Sequence, residues 1–440
     1  MSVLCLRAPV HLAAAAAFLL ASPGSILAQP PSTAAESELT LEAVIATALA
    51  QHPLIAAARA RVEAARGSAR QAAFWPNPVG TYWLENAALA GSSAGLDRET
   101  SLFATVPLEP LYQRRPHVAQ ASQDVAAAEA EAEAVRRQVA SDAARAFFRV
   151  AMAQAVVAAA EENRANLDQL MAFNEARVRE GAAPEGDLIR VRVEVDRAAT
   201  DLVFAEVELT RARGDLWIFV GGGAASSLLL DRLRVRSPTA TDLRTPLQPL
   251  ADLLTTASSS RPEILSARAR LASAAASIEY EGRLNIRQLG GTFGVKSTAG
   301  QRSMIAGLSV TLPLFDRNQG AVQRATAARV AAEQELTWAT RTVNAEVQTS
   351  FAAAERLRAR AADVQDTVVE RAESARAVAL AAYREGATTV LQVIDASRAL
   401  AEARLSSARL LLAERQSRFD VLMGSGSDPV SIRIDERGMR

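Results

Sequence analysis

Histidine and cysteine, the side chains that most often bind transition metals or act as nucleophiles, are scarce in this 440-residue chain. The single cysteine is Cys5, and beyond the first 28 residues the histidines are His52, which precedes a proline, and His117. They do not have the spacing of a metal site. Nothing in the sequence matches a glycine-rich phosphate loop, a Ser-His-Asp order or a catalytic carboxylate pair. The sequence therefore predicts no enzyme activity, no cofactor and no tightly bound metal ion.

Net charge and composition further restrict the class of protein. Lysine plus arginine and aspartate plus glutamate number 49 each, so the chain has no net field that would attract nucleic acid. Hydrophobic residues make up 49% of the chain but aromatic residues only 5%, and much of the hydrophobic fraction is alanine. This composition is typical of long helices packed closely on one another. We therefore expect a mainly helical protein that does not bind nucleic acid.

The first 28 residues have the order of a secretory signal peptide. Arg7 precedes an apolar run from about Val10 to Ala21, and a small-residue site ends at Ala28. The run is too short to span a bilayer, and a buried N-terminal helix is the alternative. Cleavage after Ala28 would remove Cys5, which lies too near the start to be acylated, so we expect no lipid anchor. No later stretch approaches about 18 apolar residues, which leaves β-structure as the route into a membrane.

The chain repeats itself after about 205 to 209 residues, or half its length. The blocks HPLIAAARARVEAA and RPEILSARARLASA correspond, as do Val106-Pro107-Leu108 and Leu312-Pro313-Leu314. The four letters REGA occur at residues 179–182 and again at 384–387. Matched blocks in the same order indicate two copies of one structural unit.

Each copy reads as two short helices, a β-hairpin, a long helix, a glycine turn and a return helix. The hairpins are predicted at about 79–108 and 288–314, and the long helices at about 117–180 and 321–385. The limits that follow are a signal peptide at 1–28, a first repeat at 29–220, a connection at 221–247, a second repeat at 248–424 and a tail at 425–440.

The hairpin of the second copy alternates strictly. Its return strand places Ala306, Leu308, Val310, Leu312 and Leu314 on one face, with small or polar residues between them. Such alternation suits a membrane strand with lipid on one side and water on the other, but a half-buried soluble hairpin alternates in the same way. Two hairpins supply four strands, too few to close a barrel with a lumen, so strands in a membrane would need several chains.

The long helices, and the glycine turns that end them, determine the length of the predicted structure. About 64 residues without glycine or proline predict a helix of roughly 95 Å, far longer than a globular domain. Gly181 and Gly386 follow these helices and can adopt the left-handed conformation that ends a helix, so the chain turns back at each. Prolines stand where helix and strand meet and are expected to fix sharp bends there: Pro76, Pro78, Pro107 and Pro313.

These features together resemble the outer-membrane efflux protein family, of which the TolC channel is the best-known member. The resemblance covers nearly all of the chain beyond residue 28 and includes LPLFDRNQG at 312–320 and YREGATTVLQVIDASRAL at 383–400. The LPLFDRNQG block is most similar to the cobalt-zinc-cadmium resistance branch, whose members work with resistance-nodulation-division pumps.

The resemblance implies a fold of α-helices with membrane β-strands: duplicated helical hairpins forming an α-barrel, and four strands per protomer contributing to a twelve-stranded trimeric β-barrel. It implies a homotrimer in the lipid of the Gram-negative outer membrane, extending into the periplasm, with an equatorial belt from residues 221–247 and the tail. The partners would be a periplasmic adaptor (membrane fusion) protein and an inner-membrane pump. The duct would be passive, and divalent metal cations are a candidate cargo. The alternative is a periplasmic coiled-coil structural or adaptor protein with soluble hairpins.

The resemblance also places a periplasmic gate just beyond the glycine turns. It carries over to Asp187, Asp395 and Gln392, the last standing where relatives also have an acidic residue. Thr388 replaces a basic residue that helps to latch the tip. Asp187 lies six residues after Gly181 and Asp395 nine after Gly386, so the two are not equivalent. A favourable charge at a helix N-terminus is the alternative role for Asp187, and a solvated outer face is the alternative for Asp395.

Aromatic residues beside the first hairpin are a further candidate feature. Trp75, Tyr82 and Trp83 could anchor the hairpin at a membrane interface, or they could simply pack against neighbouring residues.

Overall fold

The computed structural model describes residues 38–87, 95, 97–221, 227–238, 243 and 245–432. The expected signal peptide at 1–28, most of the glycine- and serine-containing loop of the first hairpin, and the last eight residues of the tail lie outside the described residues.

Both copies contain the same elements in the same order. The first has α1 (Leu41–Gln51), α2 (Pro53–Ala73), β1 (Val79–Glu85), β2 (Glu99–Pro107), α3 (Pro110–Arg179) and α4 (Glu185–Val220). A short helix, α5 (Ser227–Arg232), lies in the connection. The second has α6 (Leu250–Ser260), α7 (Pro262–Arg283), β3 (Leu289–Thr298), β4 (Gln301–Val310), α8 (Gln319–Arg384) and α9 (Val390–Gly424), before a 3-10 turn (Pro429–Ser431).

Local signals in the sequence explain the paired short helices. The Thr40 hydroxyl accepts a hydrogen bond from the Ala43 amide at 3.2 Å and caps α1. Proline then occupies the first position of both α2 and α7, where its missing N–H costs no helical hydrogen bond. Each short helix therefore ends two residues before that proline, and the chain restarts as a second helix.

The two long helices exceed the expected limits. α3 has 70 residues and α8 has 66, which correspond to about 105 Å and 100 Å. α3 begins at Pro110 rather than at His117, because a proline is favourable in the first turn and the helix then continues through the buried Pro116. The run without glycine or proline that predicts the return helix of the first copy ends at Arg213, but α4 continues through Gly214 to Val220. Packing against neighbouring helices outweighs these local breaks.

In each copy, the long helix packs against both short helices and the return helix. α3 packs against α2 and α7 in the half nearer the strands and against α4 and α9 in the half nearer the glycine turns. α8 packs against α7 and α9 in the same manner. The largest apolar cluster lies at mid-length and includes Phe147, Phe148, Leu216 and Phe419. Alanines of α3 let the helices approach closely there.

The four strands form one antiparallel sheet in the order β1-β2-β3-β4. The central pairing of β2 with β3, with Leu102 opposite Val295, joins the two copies. β4 ends at Val310, so the prediction that Leu312 and Leu314 continue this strand is wrong. Pro313 has no N–H for a ladder hydrogen bond, and the Leu314 amide donates to the Leu312 carbonyl at 2.9 Å, which turns the chain away from the sheet.

Candidate functional site

The two glycine turns have the same backbone structure. Gly181 has φ +71° and Gly386 has φ +77°, both in the left-handed region. The Gly181 amide donates to Val178 O at 3.0 Å and the next amide to Arg177 O at 2.8 Å. The Gly386 amide donates to Tyr383 O at 3.1 Å and the next to Ala382 O at 2.8 Å. This pair of bonds is the Schellman arrangement, which satisfies the last carbonyls of a helix.

The candidate gate residues lie in the first two turns of the return helices. Asp187 is the third residue of α4 and Gln392 is the third residue of α9. Asp395 is the sixth residue of α9, and its counterpart in α4 is Arg190. The two aspartates therefore occupy different levels of the helices, and the counterpart of one carboxylate is a cation.

Their surroundings differ as well. The Asp187 side chain is 22% exposed, and one of its carboxylate oxygens lies 3.6 Å from an Arg190 nitrogen. The Asp395 side chain is 61% exposed, and the nearest Arg398 nitrogen is 3.9 Å away. Arg398 makes a shorter ion pair with Glu194, whose hydrogen bond raises the pKa of the guanidinium. Asp395 thus competes with a second carboxylate for one cation and is the more available of the two aspartates.

The third candidate gate residue, Gln392, has a local partner. Its side-chain oxygen accepts a hydrogen bond from the Thr388 hydroxyl, one helical turn earlier. Both side chains are neutral. This corner of the turn therefore carries no charge, in contrast to the carboxylate and basic residue that the family resemblance places there.

A buried cluster between the two turns was missed by sequence reasoning. Tyr383 is 3% exposed, and its hydroxyl donates to the side-chain oxygen of the fully buried Asn174. The Asn174 amide nitrogen donates in turn to the Leu170 carbonyl at 2.9 Å. Burial raises the pKa of the Tyr383 hydroxyl, which keeps it protonated as the donor. α3 and α8 are linked by this cluster near their ends.

Arg177 adds a second link at the same place. Its guanidinium donates to Tyr383 O at 3.3 Å and to Ala182 O at 3.1 Å. The guanidinium carbon lies 5.0 Å from the centre of the Tyr383 ring and 5.8 Å from that of Phe173, within cation-π range. One side chain therefore binds both turns. Tyr383 begins the YREGATTVLQVIDASRAL block, but nothing in the sequence singled out Asn174 or Arg177.

At the other end of the molecule, the strand register sorts the side chains into two faces. We call one the apolar face: Gly80, Tyr82, Leu84, Leu102, Ala104, Val106, Leu289, Gly291, Phe293, Val295, Met304, Ala306, Leu308 and Val310, with the polar residues Thr100, Ser297 and Arg302 beside Leu84 in its outermost row. The opposite, polar face is mostly glycine, serine, threonine and charged residues. All four strands share this division.

The aromatic residues expected as interfacial anchors do not form one group. Tyr82 lies on the apolar face and Trp83 on the polar face, because neighbouring residues of a strand alternate. The Trp75 indole nitrogen donates to the Pro107 carbonyl at 3.3 Å. Trp75 therefore braces the join between α2 and the sheet.

The four prolines predicted at the joins lie at or beside them. Pro76 and Pro78 stand in the extended segment between α2 and β1. Pro107 is the last residue of β2, and Pro313 lies between β4 and α8.

Both described histidines stack on aromatic rings. The His52 ring is 5.6 Å from Phe219, and the His117 ring is 4.5 Å from Tyr280. Over the described part of the chain, no three histidine, cysteine or acidic residues come together as metal ligands could.

One stretch of α3 is apolar enough to meet the length and hydropathy criteria of a membrane span, with mean hydropathy 1.3 over its best window. The expectation that no stretch beyond the first 28 residues is this apolar is therefore wrong. The window is 44% buried inside the protein, as in the core helix of a helical bundle.

Comparison with protein-family models matches the outer membrane efflux protein family over residues 44–222 and 253–423. The curated cobalt-zinc-cadmium resistance protein CzcC of Cupriavidus metallidurans is 26% identical over 382 residues, which is 84% of this chain and 86% of that protein. The nickel-cobalt-cadmium resistance protein NccC of Alcaligenes xylosoxydans is 27% identical over 322 residues, 72% of this chain and 69% of that protein.

Solved structures share the fold. CusC superposes with a TM-score of 0.74 at 20% identity, covering 89% of this chain and 93% of that one. The outer-membrane channel OprN gives 0.75 at 20% identity, covering 89% and 90%. The outer membrane protein VceC of Vibrio cholerae gives 0.72 at 21% identity, covering 88% and 96%.

Proposed function

Because this chain belongs to the outer membrane efflux protein family, we propose that three copies of it form a passive exit duct across the outer membrane and the periplasm. The observation that carries the proposal is the apolar face, which all four strands share at one end of two long helical hairpins. Lipid on that face and water on the polar face is the arrangement of an outer-membrane channel wall.

The edges of the sheet support assembly. β1 and β4 are the outer strands of the described sheet, and each pairs on one side only. Because the strands alternate in direction, β4 of one copy can pair antiparallel with β1 of the next. Four strands cannot enclose a lumen, whereas three copies supply about twelve, enough for an aqueous one. Closure would also leave no strand edge exposed in lipid.

The helices would form the periplasmic part of the duct. Helices about 100 Å long, attached to the sheet at one end, would place the two glycine turns far from the membrane. We propose that a periplasmic adaptor protein binds at that end and that an inner-membrane pump of the resistance-nodulation-division type delivers the cargo. The duct itself would be passive.

The proposed class of exported substrate is based on the two curated relatives. CzcC and NccC are cobalt-zinc-cadmium and nickel-cobalt-cadmium resistance proteins. We propose divalent metal cations as the exported substrates of this chain. Asp395, exposed and only loosely paired, would contribute three carboxylates in a trimer and favour cations near the threefold axis. Asp187 and Gln392 would line the same region at a neighbouring level.

Two measurements test the proposal. Membrane fractionation followed by unboiled gel electrophoresis should find a trimer in the outer membrane, and a soluble periplasmic monomer would reject the duct in favour of a periplasmic coiled-coil protein. A deletion strain should become more sensitive to cobalt, zinc or cadmium, with recovery on complementation. Unchanged metal sensitivity alone would reject the cargo and leave the duct intact.

A further inference from the structure

The polar face of the sheet carries an aromatic pair that its water-facing role does not explain. Trp83 and Phe103 lie on this face with their ring centres 5.9 Å apart in an edge-to-face contact. Trp83 is 56% exposed. Apart from Phe103 and Ile305, the surrounding rows consist of small, polar or charged residues, so a large exposed indole is out of place there.

A glycine fixes the position of this pair. Gly294 stands directly opposite Phe103 on β3. A Cβ added to Gly294 would lie 2.3 Å from the Phe103 Cβ and 2.4 Å from the Leu102 carbonyl oxygen, so no larger residue fits. The Phe103 backbone therefore lies close to Gly294, and Trp83 contacts the Phe103 ring while much of Trp83 stays open to solvent.

Acidic residues lie in the next row toward the hairpin turns. Glu85 is two residues after Trp83 on the same face and stands opposite Glu99. Lys296, opposite Ser101, forms an ion pair with Glu99. Lys296 stands in the row of Trp83, and its one ammonium is outnumbered by the two carboxylates, so the two rows together carry net negative charge within about 7 Å of the indole along the strand.

We propose that Trp83, Phe103, Glu85 and Glu99 form a binding site for planar organic cations on the inner wall of the duct. The inference rests on the proposed function, since that function turns the polar face toward the lumen. An aromatic cation gains stacking and cation-π attraction from the indole and charge attraction from the carboxylates. A hydrated divalent metal ion presents no apolar surface for the indole. The site therefore extends the cargo class to compounds unlike those named for the relatives.

Shielding of Gly294 is a structural explanation for Phe103, because an aromatic ring often covers a glycine on the neighbouring strand. It does not account for Trp83, which stands opposite Ser101 and is more than half exposed. A structural role predicts that removing the indole weakens the sheet. A binding role predicts a loss of ligand with the trimer intact.

The test uses the purified trimer and pyronin Y, a planar xanthene cation, with fluorescence anisotropy as the readout. Trp83→Ala and Trp83→Leu should weaken binding about tenfold, the size of a stacked cation-π contact. Glu85→Gln should weaken it about threefold, with most of its effect at low salt. Tyr82→Ala is the matched control, because Tyr82 is equally exposed on the apolar face and should leave binding unchanged.

Three results would overturn the site: wild-type affinity in both Trp83 variants, equal loss in the Tyr82 variant, or equal binding of fluorescein, an anionic xanthene. Unboiled gels of each variant identify any that fail to assemble, and the leucine variant keeps the apolar bulk for that case. In planar bilayers, pyronin Y added on the side of the hairpin turns should block wild-type channels more than Trp83→Leu channels. Conductance with identical block rejects the site, whereas no conductance at all rejects the proposed function.

Discussion

The two glycine turns of this chain have the same backbone conformation, but they differ in the side chains around them. Both have a left-handed glycine and the same pair of hydrogen bonds to the helix end. In the first copy the preceding helix carries Asn174 and Arg177, and the corresponding residues of the second copy are Ala379 and Ala382. Duplication has kept the turn, which needs only glycine, and has let the surrounding chemistry diverge.

Because of that difference, the link between the two turns can form with the two copies in one order only. Tyr383 of the second copy meets Asn174 and Arg177 of the first within one chain. In a trimer, the second copy would also neighbour the first copy of the next chain. The residue corresponding to Tyr383 is Val178, which has no hydroxyl, so the link cannot be repeated in the opposite order. We expect the two turns of one chain to stay together and the contacts between chains to separate when the tip opens.

The largest effect is expected when the tyrosine is removed. Tyr383→Ala should lower the free energy of local opening at the tip by about 3 to 5 kcal/mol, because a buried aromatic ring and the partner of Asn174 are both lost. Val178→Ala, the corresponding change in the first copy, should cost about 1 kcal/mol. Hydrogen exchange of amides in the last turns of α3 and α8 measures the change in opening free energy in both variants. Equal protection losses in the two variants would contradict the asymmetry.

Substitutions of the two turn glycines should have equal effects on stability, because the two turns have the same backbone conformation. Gly181→Val and Gly386→Val should each cost about 1 to 2 kcal/mol, since a β-branched residue is strained at positive φ. Gly214→Ala is a control of opposite sign. It lies inside α4 with open space around its Cβ position and should stabilise the helix by about 0.5 to 1 kcal/mol. Hydrogen exchange that shows one turn unaffected would mean that the two turns do not carry the same strain.

The sequence predicted the parts of this comparison that depend on local signals. Duplicated blocks, glycine turns and strand alternation follow from short-range rules of backbone geometry, so the order of elements could be read without coordinates. The cluster of Asn174, Arg177 and Tyr383 could not, because its contacts join residues more than 200 positions apart and the copies differ there. Helix continuation through Pro116 and Gly214 was missed because packing along a long helix outweighs one unfavourable residue.

An effect similar in size to those of the glycine substitutions is expected at the arginine that links the two turns. Arg177→Ala should cost about 1 to 2 kcal/mol at the tip, through two hydrogen bonds to carbonyls and the contact with the Tyr383 ring. Arg179→Ala, two residues later and exposed, should change protection little. Exchange rates in α8 near Tyr383 distinguish the two. A larger effect of Arg179→Ala would remove Arg177 from this role.

The smallest effects are expected at the aspartates, where the two copies differ in exposure. Asp395→Asn should weaken block of the channel by cobalt(III) hexaammine several-fold in planar bilayers, because three exposed carboxylates would lose their charge. Asp187→Asn should change block less, since its side chain is 22% exposed and lies against Arg190. Because Arg190 corresponds to Asp395, Arg190→Asp would add further carboxylates at the level of Asp395 and should strengthen block. Unchanged block in Asp395→Asn, or equal changes in both aspartate variants, would place the cation-selective level elsewhere in the duct.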